Sequence, residues 1–331
     1  MNQQTHLIFG TGLIGGYVGG VFLSQGLDTT FLGRPKSQNA MCNGLTVSNY
    51  LGHSANVDAP SFHSGDGQYD VIWVAVKCTA MTSIVDELGS LLKPSSTIVC
   101  CQNGLGSDQV IRDNFPNHQV LNAIAVFNVA QVSDDHLSKS TEGDFIIEDS
   151  ESTRECFDQF SCDLLPSRLS LELNAEKWAK LQLNLANSVN ALSDIPILDM
   201  LHTRGFRRII AGMMNELLAV TDAKNIELPK MAAIPGKLLP LTMNVPNWLY
   251  KIMAKKVIAI DPKARMSMWW DLSGGRQTEI EYLNAAVVRA GKELGIDCPI
   301  NQRIVELVKS VERGENKIGF SADALSAEVY R

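Results

Sequence analysis

The stretch Leu7-Ile8-Phe9-Gly10-Thr11-Gly12-Leu13-Ile14-Gly15-Gly16-Tyr17-Val18 decides how this chain is read. A short apolar run stops at a glycine, two more glycines follow at fixed spacing, and apolar residues then recur at helical intervals through Val21, Phe22 and Leu23 to Gly26. In a strand–turn–helix of this kind Gly10 permits the tight turn, Gly12 lets a pyrophosphate approach the backbone, and Gly15 lets the helix pack closely on the strand. The helix start, including the N–H groups of Leu13 and Ile14, then offers donors and a positive dipole end to phosphate. Glycine turns are common, so the motif alone is weak. Its position between a strand and a helix is the context a dinucleotide cradle requires.

Working outward, Thr29 to Leu32 reads as the second strand, and Gly33-Arg34-Pro35-Lys36 follows it with no carboxylate nearby. NAD enzymes place an acidic residue here for the ribose 2′-hydroxyl, whereas an arginine accommodates a 2′-phosphate. Asp28 precedes the strand, so Arg34 favours NADP(H); Arg34 as a plain solvated loop charge is the alternative. Val71 to Val76 is a continuous apolar run, as expected of a parallel strand covered on both faces. A helix over 81–92 and strands over 97–101, 120–128 and 145–147 complete the alternation of a parallel α/β sheet. Lys77 and Asn103 end two of these strands, where open α/β sheets bind ligands, although either also suits a loop.

Beyond about residue 170 helical periodicity takes over, at 174–194, 203–224, 247–260, 278–294 and 300–313. The expected fold is thus a Rossmann-type α/β domain over 1–170 followed by an all-α domain over 171–331, with 314–331 as a loosely packed tail. A chain of 331 residues can build two such cores. The 45% hydrophobic content and net charge of −7 with interspersed signs point to a soluble globular protein, with no nucleic-acid or membrane partner. Seven scattered cysteines without metal-ligand spacing suggest reduced thiols in a cytoplasmic setting. No basic leader precedes the first strand. A homodimer is compatible with a helical second domain.

Two further segments carry chemistry. At about 100° per residue, Lys180, Asn184, Asn187, Ser188 and Ala191 share roughly a third of one helix circumference. One cation among amides and a hydroxyl suits a polar pocket, although a solvated face shows the same period. Reduction of a ketone needs hydride at carbon and a proton at oxygen, and a lysine ammonium supplies the proton while stabilising the forming alkoxide. Farther on, Ser273-Gly-Gly-Arg276-Gln-Thr278-Glu279-Ile-Glu281 precedes an apolar helical pattern. Thr278 and Glu281 fit a capping box, which makes Glu279 the first helical residue. Both glutamates then serve the helix start, unless the Gly-Gly turn brings backbone close to a ligand.

With Gly10-x-Gly12-x-x-Gly15, Val76-Lys77, Gln102-Asn103-Gly104-Leu-Gly106, Glu176-Lys-Trp178-x-Lys180-Leu-x-x-Asn184 and Arg276-x-Thr278-Glu279-Ile-Glu281-x-x-Asn284, the chain resembles the ketopantoate reductases (2-dehydropantoate 2-reductases) from Gly10 to about Val311. The resemblance implies an NADPH-dependent reductase of a small 2-oxo acid, with 2-dehydropantoate going to (R)-pantoate for pantothenate synthesis and the active site in an interdomain cleft. Lys180 matches the general acid and Glu279 the residue that binds the substrate hydroxyl. Asn103 and Asn184 match residues that contact substrate and nicotinamide ribose, Ser267 matches a serine on the substrate carboxylate, and Arg34 and Lys77 match the cations that favour NADPH. Ser188 stands where the family's second helix asparagine lies and is assigned to the substrate in its place. Ala264 replaces a further substrate asparagine, and Met266-Ser267-Met268-Trp269-Trp270 is bulkier than the family pattern. Reduction of a different 2-oxo acid, or a non-catalytic NADP-binding sensor, are the rival readings.

Overall fold

The computed structural model describes residues 4–231, 234–254 and 263–331. The chain divides into two compact units, Met1–Gln102 with Gly106–Leu173, and Asn103–Leu105 with Asn174–Arg331. The first is an α/β unit built on a mostly parallel sheet and the second is helical.

The strands of the first unit are β1 (Thr5–Phe9), β2 (Asp28–Leu32), β3 (Leu45–Asn49), β4 (Ser54–Val57), β5 (Tyr69–Val74), β6 (Leu92–Cys100), β7 (Gln119–Ala125), β8 (Val129–Ser133), β9 (His136–Lys139), β10 (Phe145–Glu148) and β11 (Ser167–Ser170). Its helices are α1 (Leu13–Ser24), α2 (Pro35–Met41), α3 (Val85–Ser90), α4 (Gln109–Asn114) and α5 (Glu151–Phe160). The main sheet has the order β11-β10-β7-β6-β5-β1-β2. It departs from the all-parallel expectation at one edge, where β10 runs antiparallel to β7. Strand β5 shows why its sequence is an unbroken apolar run. Val71 and Trp73 join the core on one face of the sheet, while Ile72 and Val74 join the core on the other.

A second sheet, β4-β3-β9-β8, was not foreseen. Its strands are short and half-polar, and β9 pairs with β3 across about 90 residues of chain, a pairing no local pattern announces. It packs on α1, whose glycines leave room: a Cβ at Gly20 would lie 2.7 Å from Leu45 and Val47. The helix expected over 81–92 is one 3-10 turn, Thr82–Ile84, followed by the short α3, and the strand expected over 120–128 ends at Ala125.

The second unit comprises α6 (Leu173–Asn184), α7 (Ala186–Ser193), α8 (Ile197–His202), α9 (Arg204–Ala223), α10 (Leu239–Asn244), α11 (Asn247–Ala254), α12 (Ser267–Leu272), α13 (Asn284–Glu293), α14 (Pro299–Glu312) and α15 (Ala322–Val329). The end of the helix expected over 247–260 lies outside the described residues. The pattern at 278–294 gives a 3-10 turn, Ile280–Tyr282, before α13 begins at Asn284. The last stretch is not a loose tail. Ser321 caps α15, and Leu325 and Val329 are buried in the helical core. Among the described residues no helix is long and apolar enough to cross a membrane.

Burial creates one titration with a consequence for folding. His6, 1% exposed in β1, accepts from the Trp73 indole at 3.3 Å, and desolvation lowers its pKa from 6.5 to about 4. The unfolded chain takes up this proton near 6.5 while the native ring resists it. The stabilisation is therefore full above that pH and lost as pH falls toward 4, a change of about 3 kcal/mol at about 1.4 kcal/mol per pH unit. His6→Gln keeps an acceptor for Trp73. Denaturant unfolding at pH 7 and pH 4 should show about 3 kcal/mol less acid destabilisation in the variant; equal acid sensitivity would refute the assignment.

Candidate active site

The glycine turn joins β1 to α1. Gly10 has φ +108°, and a Cβ there would lie 2.8 Å from the Val76 backbone nitrogen. A Cβ at Gly15 would lie 2.0 Å from the Gly10 carbonyl oxygen, so any side chain would force the helix off the strand. Gly12 is the opposite case, with nothing within 4 Å of its Cβ position. The backbone is thus open to a ligand at Gly12 and closed at its neighbours. No side chain caps α1 and its first turn holds no acidic residue, so the N–H groups around Leu13 and Ile14 keep their capacity for an anion. These residues fit a dinucleotide pyrophosphate.

Arg34 lies exposed just past β2, ahead of Pro35 at the start of α2. A Cβ at Gly33 would fall 1.8 Å from the Thr11 hydroxyl. The strand end where an NAD enzyme carries its carboxylate therefore has no space for one here. Lys77 is exposed beyond β5, at the start of a 3-10 turn. Gln102, beside Asn103, donates to the carbonyls of Val74 at 2.7 Å and Val76 at 3.1 Å. It ties down the loop that carries Lys77. A cleft of about 920 Å³ lies at the other ends of these strands, lined by Thr5, Asp70, Lys93 and His118. Its volume does not make it the cofactor site, because the glycine turn, Arg34 and Lys77 stand at the carboxyl ends.

In the helical unit, Lys180 Nζ donates to Asn103 Oδ1 at 2.6 Å, joining residues 77 positions apart. The Asn103 loop is itself docked. Leu105 N donates to Tyr282 O at 2.9 Å, and Gly104, with φ +77°, has no room for a Cβ, which would lie 2.1 Å from that oxygen. Tyr282 closes the 3-10 turn that Glu279 opens, with Tyr282 N donating to Glu279 O. One loop thus contacts the lysine helix and the glutamate turn together. Asn184 is half-buried one turn beyond Lys180 and makes no side-chain hydrogen bond among the described residues.

The expected capping box is absent. Thr278 Oγ1 accepts from Ile280 N at 3.3 Å, while Glu281 pairs with Arg289 at 3.2 Å and with Lys309. Glu279 is therefore half-buried ahead of a 3-10 turn and is not the first residue of a helix. Ser188 departs from its assignment too. It is fully buried and its hydroxyl donates to Leu185 O at 2.9 Å, which turns it into the helix. Asn187 takes the place beside it, with Nδ2 at 3.5 Å from the exposed Ser267 hydroxyl. Its position on the lysine stripe was the available signal.

Comparison with known proteins identifies the family. Residues 6–152 match the family model described as ketopantoate reductase PanE/ApbA, and residues 172–312 match the ketopantoate reductase PanE/ApbA C-terminal model. The 2-dehydropantoate 2-reductase of Archaeoglobus fulgidus is 25% identical, covering 95% of this chain and 100% of its own. Among solved structures, a PanE/ApbA family ketopantoate reductase from Ralstonia eutropha JMP134 superposes with a TM-score of 0.78 at 24% identity, over 94% of this chain and 99% of that one. D-mandelate dehydrogenase, solved with NADH and anilino(oxo)acetate, superposes with a TM-score of 0.76 at 18% identity, over 94% and 99% of the two chains. With both halves matched by its models, the chain belongs to the ketopantoate reductase PanE/ApbA family, oxidoreductases that act on CH–OH groups.

Proposed function

We propose that this enzyme uses NADPH to reduce 2-dehydropantoate to (R)-pantoate in pantothenate biosynthesis. The observation that carries the reading is the Lys180–Asn103 hydrogen bond, which fixes the direction of an ammonium on a loop that also grips the Glu279 turn. The bound cofactor supplies the hydride to the keto carbon. Lys180 donates the proton to the keto oxygen and stabilises negative charge as it develops there. Glu279 accepts from the substrate hydroxyl, while Asn103, Asn184 and Ser267 orient the carbonyl and carboxylate. Asn187 joins them, through Ser267, in place of Ser188. Gly10, Gly12, Leu13, Ile14 and Gly15 would hold the pyrophosphate, and Lys77 and Asn103 are the residues assigned to the ribose. The cytoplasm, where the seven cysteines stay reduced, is the setting this reading implies; all seven are free thiols in the structure.

Preference for NADPH rests on Arg34 and on the lack of space for a carboxylate at Gly33. A second reading, reduction of another 2-oxo acid by the same residues, draws on Ala264, on the inward hydroxyl of Ser188, and on the similarity to a mandelate dehydrogenase.

Lys180→Ala should lower kcat by roughly 10²-fold or more while the dissociation constant for NADPH changes little, since general acid catalysis contributes about that much. Near-normal kcat in that variant would remove Lys180 from the chemistry. Arg34→Ala should raise KM for NADPH by roughly tenfold and leave KM for NADH almost unchanged, as expected for loss of a charge-assisted phosphate contact. Equal effects on both cofactors would rule out a 2′-phosphate role.

A further inference from the structure

Three polar links tie the segment Ala264–Trp269 to α7. Asn187 Nδ2 lies 3.5 Å from Ser267 Oγ, Asn190 Oδ1 accepts from Met266 N at 2.9 Å, and Asp194 Oδ1 accepts from Trp269 Nε1 at 2.7 Å. Positions 187, 190 and 194 are spaced three and four apart, so they form one stripe. That stripe continues the one that carries Lys180 and Asn184, because Leu185 between α6 and α7 keeps helical angles. The last link is the most elaborate. Asp194 adopts the left-handed conformation, φ 54°, that ends α7. Its carboxylate receives the indole, and the Arg265 guanidinium stacks over the same indole at 4.8 Å, with Nη1 at 3.7 Å from the Asp194 oxygen. That Nη1 is buried without a hydrogen-bond partner among the described residues. Among the described residues its charge is met by Asp194 and the ring face.

We infer that Asp194 and Trp269 form a clasp that sets the position of Ser267, and through it the affinity for the substrate carboxylate. The inference rests on the reading above that Ser267 contacts that carboxylate. Both are positioning residues. Trp269 sits two residues past Ser267 in α12, so a shift of its indole turns the first turn of that helix relative to Asn187. The family pattern does not announce this device, since the paired tryptophans are where this chain departs from it.

The test compares Trp269→Phe, Asp194→Gly and Asp194→Asn with Ser267→Ala and the double variant Ser267→Ala/Trp269→Phe, reading KM for the 2-oxo acid, kcat, NADPH affinity and Tm. Phenylalanine keeps a ring under Arg265 but removes the N–H, glycine keeps the left-handed backbone without the carboxylate, and asparagine keeps an acceptor. Trp269→Phe and Asp194→Gly should each raise KM for the 2-oxo acid roughly 5- to 10-fold, as expected for loss of about one hydrogen bond. kcat and NADPH affinity should stay within about twofold, and Asp194→Asn, which keeps an acceptor for the indole but removes the charge beside Arg265, should raise KM less than Asp194→Gly. On the Ser267→Ala background Trp269→Phe should add nothing, because both act on one contact. If Ser267→Ala leaves KM unchanged, the carboxylate reading fails and the clasp with it. If Ser267→Ala raises KM while Trp269→Phe has no effect or adds to it, the clasp alone fails. Parallel losses in NADPH affinity and Tm would likewise overturn it, by marking the pair as general structure.

Discussion

The hydrogen bond from Lys180 Nζ to Asn103 Oδ1 is the constraint around which the polar part of the helical unit is arranged. A lysine side chain has four rotatable bonds and loses entropy when held, so an ammonium aimed in one direction needs a rigid acceptor. Asn103 is rigid because the loop behind it is anchored to the Tyr282 carbonyl at a glycine no other residue could replace. The same stripe then runs past Asn184 and Asn187 to Asn190 and Asp194, which bind the Ser267 segment. One helical face thus carries Lys180 at one end and holds the Ser267 segment at the other.

The α/β unit applies a similar economy to its glycine turn. Gly10 and Gly15 are required because backbone and strand lie against them, whereas Gly12 faces open space. Close packing at two positions leaves the helix start exposed at the third, where phosphate binds well. Thr11 belongs to this arrangement, since its hydroxyl fills the position a side chain at residue 33 would take. The glycine turn therefore also shapes the neighbouring strand end at Gly33.

Much of this was legible in the sequence because the signals are local. The apolar run of β5, the glycine spacing and the lysine stripe each follow from a single periodicity. The four-stranded sheet was not legible, because short strands with alternating polar residues resemble loops until a distant partner supplies the pairing. The capping box at Thr278 failed for a related reason. Glu281 fits the local pattern, but Arg289 and Lys309 offer it opposite charge, and the turn at Tyr282 is shaped by the Gly104 loop. Ser188 shows a limit of matching residues by position alone. It lies on the right side of the helix, yet a serine is short enough to bond its own backbone where an asparagine reaches outward. The final helix was missed because its apolar residues are few and its burial depends on the core already being built.

The measurement that tests the account most directly follows nicotinamide absorbance with purified protein, NADPH and 2-dehydropantoate, with NADH and other 2-oxo acids in parallel. The account predicts rapid oxidation that prefers NADPH and 2-dehydropantoate. Tight NADPH binding with no turnover of any 2-oxo acid would contradict it, and would leave Lys180 and Asn103 as part of a binding protein.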